Sequence, residues 1–241
     1  RHTSVLVIGG GPGGSTAAAL LAKAGMQVLL LEREVFPRYH IGESLLASCQ
    51  ATLKLSGAYD AVAAHGFQVK RGAVIYWAED QWILDWKKLV DPDAWSWQVD
   101  RAAYDEILLR NAARQGAEVI EGATVRRVIF EGERAVAAEW TRRGEETVHT
   151  ARFDVVIDAS GRHGAIANGH FRMRRQHEVF RNVAMWSYWE GAALLPDSPE
   201  GAINVVSTPQ GWWWHIPLGG GRFSVGKVMH RQRFVQERDR H

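Results

Sequence analysis

Cysteine is almost absent from this sequence. Cys49 stands alone among 241 residues, so no internal disulfide framework can form, and the chain suits a reducing, cytoplasmic setting. No apolar run approaches the ~20 residues of a membrane-spanning helix, and the amino terminus lacks a signal-peptide pattern, so no membrane partner is expected. Charge of one sign is also lacking. Lys and Arg total 29 against 27 Asp and Glu, a net charge of +2, and the basic residues are scattered among acids, which argues against a nucleic-acid stripe. The densest basic run, Arg172, Arg174 and Arg175, reads as a solvated loop. The ten histidines show no H-x-x-x-H or H-E-x-x-H spacing, so no metal site is expected, and no G-x-S-x-G elbow offers an activated serine. The chain begins at Arg1 rather than Met and ends in the polar stretch "RQRFVQERDRH"; it reads as a piece of a longer protein, with a C-terminal part missing.

What is present is ordinary globular material, 46% hydrophobic and 23% charged, enough for one large core or a core with a satellite domain. "SVLVIGGGPGGSTAAALLAKAGMQVLLLER" supplies the first organised unit. Val5 to Ile8 form an apolar run of buried-strand type, glycines follow at once, an alanine-rich stretch of helical length stops at Gly25, and Gln27 to Leu31 give a second strand closed by Glu32. Gly9, Gly11 and Gly14 fit G-x-G-x-x-G: the first permits a tight turn, the second lets backbone approach a pyrophosphate, and the third lets helix pack on strand. The helix amino terminus then presents unpaired N–H groups to an anion, and Glu32 would accept hydrogen bonds from a ribose. Strand, turn, helix, strand and acid in this order favour a dinucleotide over a purely structural turn, and leave FAD and a nicotinamide both open.

Downstream, Trp97 to Val119 reads as a short strand and a helix with Ala103, Ile107, Leu108, Leu109 and Ala112 on its apolar side. "ATVRRVIF", "RAVAAEWTR" and "ETVHTARF" follow as a three-stranded meander broken at Gly132 and Gly144, and "DVVIDASGR" as the next buried strand. A nucleotide domain interrupted in this way resembles the glutathione-reductase-like flavoproteins, in particular their aromatic hydroxylase and halogenase branch. The resemblance implies FAD, with Arg101 reaching the flavin side and Ala159 to Gly161 passing close to it; by itself Arg101 suits a surface arginine at a helix start equally well.

Three further segments resemble the flavin-dependent halogenases specifically. "FPRYHIGESLL" contains the "GES" of the loop beside the flavin, with Gly42, Glu43 and Ser44 expected to open a helix; Glu43 and Ser44 suit helix capping as well. "GFQVKRGAVIYW" places Lys70 at the family's catalytic lysine, although alternation with Gly72, Val74 and Tyr76 also suits a strand-edge lysine. "GWWWHIP" matches G-W-x-W-x-I-P through Gly211, Trp212, Trp214, Ile216 and Pro217. In a strand Trp212 and Trp214 share one face, which could wall a cavity or fill a tryptophan-rich core.

The resemblance covers Ser4 to about Met229 and departs in one respect: the family's later "GD" motif has no counterpart, since no Gly-Asp dipeptide occurs. It implies an α/β fold, with a doubly wound, glutathione-reductase-like FAD domain and a β-rich substrate domain. An FAD domain is expected from residues 1–58 and 100–165, a β-rich substrate domain from 59–99 and 166–230, a truncated or flexible tail from 231–241, and an active cavity between the two domains. The cofactor would be held by Gly9, Gly11, Gly14, Glu32, Arg33, Glu43, Ser44, Arg101, Ala159 and Gly161. The implied activity is a reduced-FAD-dependent halogenase: halide, chloride or bromide, is oxidised to hypohalous acid, and Lys70 directs the halogen to an electron-rich aromatic in natural-product (antibiotic) biosynthesis. Its partners would be a flavin reductase and an aromatic substrate, free or tethered to a carrier protein. Other readings are an FAD-dependent aromatic hydroxylase, a non-catalytic FAD-binding module and, in the same fold, a reductase of isoprenoid chains.

Overall fold

The computed structural model describes residues 1–239. In chain order its elements are β1 (His2–Ile8), α1 (Pro12–Lys23), β2 (Val28–Glu32), α2 (Cys49–Ser56), α3 (Tyr59–Ala64), β3 (Gln68–Lys70), β4 (Gly72–Trp77), β5 (Asp80–Asp85), α4 (Trp86–Leu89), β6 (Ser96–Gln98) and α5 (Arg101–Arg114). They continue with β7 (Glu118–Glu121), β8 (Ala123–Glu131), β9 (Arg134–Arg142), β10 (Val148–Asp158), β11 (Asn182–Glu190), β12 (Ile203–Thr208), β13 (Gly211–Gly219), β14 (Arg222–His230) and α6 (Arg231–Arg238). These form two compact units, residues 1–41, 50–65 and 101–174 in the first, and 42–49, 66–100 and 175–239 in the second.

The first unit is built on a six-stranded sheet of order β7-β2-β1-β10-β9-β8. β1 and β2 are buried on both faces, which explains why Val5 to Ile8 and Val28 to Leu31 read as unbroken apolar runs. Val5, Val7, Val28 and Leu30 pack with Ala18 and Ala19 of α1 and Leu109 and Ala112 of α5. On the other face Leu6, Ile8, Leu29 and Leu31 meet Ala123, Ala138, Trp140, Ala151 and Phe153 of the meander. Each large aliphatic chain buried here contributes about 1.5–3 kcal/mol.

One strand differs from expectation. The third meander strand and the buried strand after it are a single element: β10 pairs antiparallel with β9 over Val148–Arg152 and parallel with β1 from Arg152 to Asp158. No turn residue separates Phe153 from Asp154, so the chain passes from one pairing to the other without a break.

The second unit holds a six-stranded sheet of order β11-β14-β13-β12-β4-β5 and the ribbon β3-β6. Gly42, Glu43 and Ser44 do not open a helix. Glu43 O accepts from Val99 N, Leu45 N donates to Trp97 O, and Ser44 bridges to Gln98; these backbone groups are engaged with β6, so the helix starts only at Cys49. The same pairing places residues 42–49 in the second unit. Residues 59–65 and 166–174 join the first, where Val62 is fully buried and the ring of Phe130 stacks on His170. Residues 231–238 are helical, and the rest of the expected tail beyond Asp239 lies outside the described residues.

Candidate functional site

The glycine turn of the first unit is shaped by contacts that exclude side chains. A Cβ on Gly9, whose φ is +104°, would lie 2.5 Å from Ala159 O, and one on Gly14 would lie 1.9 Å from Gly9 O. Ala159 therefore runs against Gly9, and Gly14 lets α1 close on the end of β1. Gly11 differs. Its φ of −67° suits any residue, and a Cβ there would approach only Arg38 Nη2, at 3.4 Å. The amino terminus of α1 has no side-chain cap and no acid in its first turn, and the Arg38 guanidinium lies beside Gly11 at its start, a charge pattern that suits an anionic pyrophosphate.

Glu32 is buried at 5% exposure. Its Oε2 accepts from Gly10 N at 2.6 Å and its Oε1 from Glu34 N at 2.8 Å, and each oxygen keeps a lone pair for a ribose hydroxyl. These residues fit FAD. Arg33, by contrast, is exposed and lies 3.7 Å from Glu34. Arg101 forms a two-toothed pair with Asp105 at 2.8 and 2.9 Å and donates to Ile41 O at 2.8 Å. Arg38 Nη1 lies 3.0 Å from Asp105 Oδ2, so one fully buried carboxylate organises two cations beside the glycine turn.

Sequence reasoning missed Asp105 and Arg38, although the i, i+4 spacing of Arg101 and Asp105 was a usable signal. It also missed Asp158, which closes β10 and holds the turn Ala159–Gly161. Asp158 Oδ1 accepts from Ser160 Oγ, and Oδ2 from Ile166 N at 2.8 Å. Burial works to raise its carboxyl, yet the hydrogen bonds from Ser160 and the Ile166 backbone outweigh it and hold the group below the ordinary aspartate value. Gly161 has a φ of +59° and open space at its Cβ position, so its backbone is approachable.

In the second unit Lys70 is the notable cation. Burial alternates along the segment, with Lys70, Gly72 and Val74 inward, and the lysine is only 3% exposed. Pairing changes at Arg71, whose N–H donates to Glu200 O and whose carbonyl accepts from Trp86 N, so β3 and β4 belong to different sheets. Lys70 Nζ donates to Ser44 Oγ and to Leu45 O, both at 2.8 Å, and sits 4.8 Å from the centre of the Trp86 ring. No carboxylate pairs with it among the described residues' ion pairs. Burial pushes the amine down from 10.5 to about 8, partly opposed by Cys49. Burial pushes the Cys49 thiol up, which disfavours its thiolate. Ser44 can accept from the ammonium and donate to the free amine.

Also in this unit, Glu43 is 1% exposed and accepts from Tyr188 OH at 2.7 Å; sequence reasoning did not find the tyrosine. Of the tryptophan motif, Trp214 is 7% exposed, donates to Ser224 Oγ at 3.1 Å and lies over Gly226, where a Cβ would fall 2.2 Å from the indole. Trp212 is half-buried on the same face, its ring centre 6.1 Å from that of Trp214. Trp213 is exposed on the other face and approaches Lys227. His215 stacks on Phe223, and burial pushes its imidazole below the usual value. Register separates Trp212 from the lysine. Ser207 pairs with Trp212, and Val206 with Tyr76, so Trp212 sits near the Trp77 end of the sheet, roughly 20 Å of extended strand from Lys70. Ile216 and Pro217 lie level with the start of β4, at the Lys70 end.

Comparison with known proteins bears on the whole of this arrangement. The tryptophan halogenase family model matches residues 4–89 and 80–240. A Tryptophan 2-halogenase of Chondromyces crocatus is 48% identical over 236 residues, which is 98% of this chain and 45% of that protein. Among solved structures, the myxobacterial chondrochloren halogenase CndH, described as a variant of FAD-dependent halogenases, has a TM-score of 0.86 at 36% identity, covering 98% of this chain and 55% of that one. CmlS, a flavin-dependent halogenase, has a TM-score of 0.88 at 31% identity, with 100% of this chain and 44% of that one covered. The chain spans about half the length of the curated relatives it matches. Because the matches together take in the glycine turn, the buried lysine and the tryptophan strand, the chain belongs to the tryptophan halogenase family.

Proposed function

We propose that the protein represented by this chain is a reduced-FAD-dependent halogenase that oxidises chloride or bromide to hypohalous acid and halogenates an electron-rich aromatic. The observation that carries the reading is Lys70: a buried primary amine with no carboxylate partner among the described ion pairs, pushed to about 8, in a chain whose first unit has a glycine turn suited to FAD. Gly11, the α1 amino terminus and Arg38 would hold the pyrophosphate, and Glu32 a ribose. Gly9, Gly14, Ala159 and Gly161, with Asp158, would keep the turn open. Reduced FAD, with oxygen, supplies the oxidising power that converts halide to hypohalous acid.

Lys70 does the directing. As an ammonium it donates to Ser44 Oγ and Leu45 O, which leaves one N–H to orient hypohalous acid. As a free amine it exchanges an N–H for an N–halogen bond, with the hydrogen leaving in water, and then passes the halogen to the aromatic carbon and takes back its proton. Glu43 and Ser44 would also contact the cofactor. A separate flavin reductase would supply reduced FAD, the acceptor would be a free or carrier-tethered aromatic of natural-product biosynthesis, and the setting would be cytoplasmic, in keeping with a single free thiol.

The test is Lys70→Ala in the full-length enzyme. FAD binding and oxygen consumption should stay nearly unchanged, halogenated product should disappear, and an external trap should recover peroxide or free hypohalous acid. Lys70→Arg separates the two roles, since a guanidinium cannot become a haloamine at working pH but can still donate a hydrogen bond. Undiminished halogenation by the alanine variant would remove Lys70 from the mechanism.

A further inference from the structure

Lys70 has an aromatic neighbour that the reaction above does not use. Trp86 lies at the start of α4, fixed by its N–H bond to Arg71 O, and its ring centre is 4.8 Å from Lys70 Nζ. Two N–H bonds of the ammonium are committed to Ser44 Oγ and Leu45 O, so the third, the position at which hypohalous acid is taken up in the reading above, is also the one next to the indole face. A halogen that replaces this hydrogen would sit against the π-face of an electron-rich ring, the direction from which electrophilic aromatic substitution proceeds.

We infer that Trp86 is an intramolecular halogen acceptor, and that the enzyme halogenates its own Trp86 through Lys70 when no organic acceptor is present. The inference rests on the reading of Lys70 as the halogen carrier. Its balance is simple. Lys70 amine and hypohalous acid give the N-haloamine and water, the O–halogen bond breaking as the N–halogen bond forms. The indole carbon then takes the halogen from nitrogen, and the proton lost from that carbon returns to the amine. The indole loses two electrons formally as the halogen passes from +1 on nitrogen to −1 on carbon, and the Lys70 amine is regenerated.

Trp86 is partly buried, whereas Trp77, Trp82 and Trp189 are 46%, 46% and 59% exposed. Freely diffusing oxidant therefore meets those three first. A relay through Lys70 reverses the order, because a fixed neighbour reacts at an effective concentration far above that of any dissolved reagent.

Two arms test this on the full-length protein. In the first, one equivalent of hypochlorous acid is added without reductase or oxygen turnover, and every tryptophan is mapped by peptide mass spectrometry. Trp86 should carry about tenfold more halogen than Trp189, a conservative reading of that proximity advantage, and the excess should vanish in both Lys70→Met and Lys70→Arg. In Trp86→Phe the halogen should remain on Lys70 as a haloamine that oxidises added iodide. In the second arm the enzyme turns over with FAD, reductase, oxygen and halide but no acceptor, and Trp86 should again be the halogenated residue. Labelling of Trp86 no greater than of the exposed tryptophans, or undiminished in the two folded lysine variants, would overturn the inference. Lys70-dependent labelling in the reagent arm with no halogen incorporated during turnover would support the relay and count instead against the halogenase reading.

Discussion

A lysine at 3% exposure with two hydrogen bonds and an aromatic face is held at a cost, and the cost has a sign that can be measured. Burial lowers its pKa from 10.5 to about 8, so the folded protein releases this proton before the unfolded chain does. Below about pH 8 both states are protonated and the full penalty of burying the charge is present. Between about 8 and 10.5 the unfolded state binds more protons, so stability rises with pH. Wild type should gain roughly 3 kcal/mol at most over Lys70→Met across this window, from 1.36 kcal/mol per pH unit, read by denaturant unfolding at each pH. Cys49, pushed up by burial, works in the opposite sense in both proteins and largely cancels in the difference. A flat difference between the two proteins would show a solvated ammonium. None of this was legible in the sequence, where the alternation of Lys70 with Gly72, Val74 and Tyr76 admitted an exposed lysine. The groups that bury it, Ser44 and Trp86, are 26 residues before it and beyond the next hairpin.

At the level of elements, what was legible was local. β1, α1 and β2 follow from an apolar run, a glycine turn and an alanine-rich stretch, each set by neighbours within a few residues. The segment at Glu43 and Ser44 was misread because its backbone partners in β6 are remote in sequence, and capping residues alone do not start a helix. β13 is a mixed case. Its period-two alternation was readable, but the division of labour between its indoles was not: Trp214 is fastened to Ser224 and Gly226, whereas Trp212 is half-buried near the sheet end. Trp214→Ala should therefore cost about 3–5 kcal/mol, as for other large aromatics removed from a core, and lower the Tm accordingly. Trp212→Ala should cost much less, and if Trp212 walls a cavity beside the flavin it should still change flavin fluorescence and halogenation. Equal losses of stability in the two variants, with specific activity intact, would make both residues packing.

For the molecule as a whole, the α/β class and the family were readable because the motifs are short, contiguous and in fixed order, while boundaries were not, because they depend on which strands pair across the chain. The family leaves one functional division to be tested in solution, between a halogenase and a hydroxylase. The two share oxygen chemistry at a reduced flavin and differ in how that flavin is reduced. A hydroxylase must bind a nicotinamide and accept its hydride, whereas the halogenase proposed here receives flavin already reduced by a separate enzyme. The dinucleotide turn from Gly9 to Gly14 is assigned to FAD in this reading, so a nicotinamide would need a site of its own. Full-length protein loaded with FAD and mixed anaerobically with NADPH alone should accordingly keep its oxidised-flavin absorbance over the time of many turnovers. Adding a flavin reductase should bleach it, and admitting oxygen with bromide and an electron-rich phenol should then yield brominated product. Rapid bleaching by NADPH alone, with hydroxylated product on admission of oxygen, would transfer the chain to the hydroxylase branch and leave Lys70 as a buried structural amine.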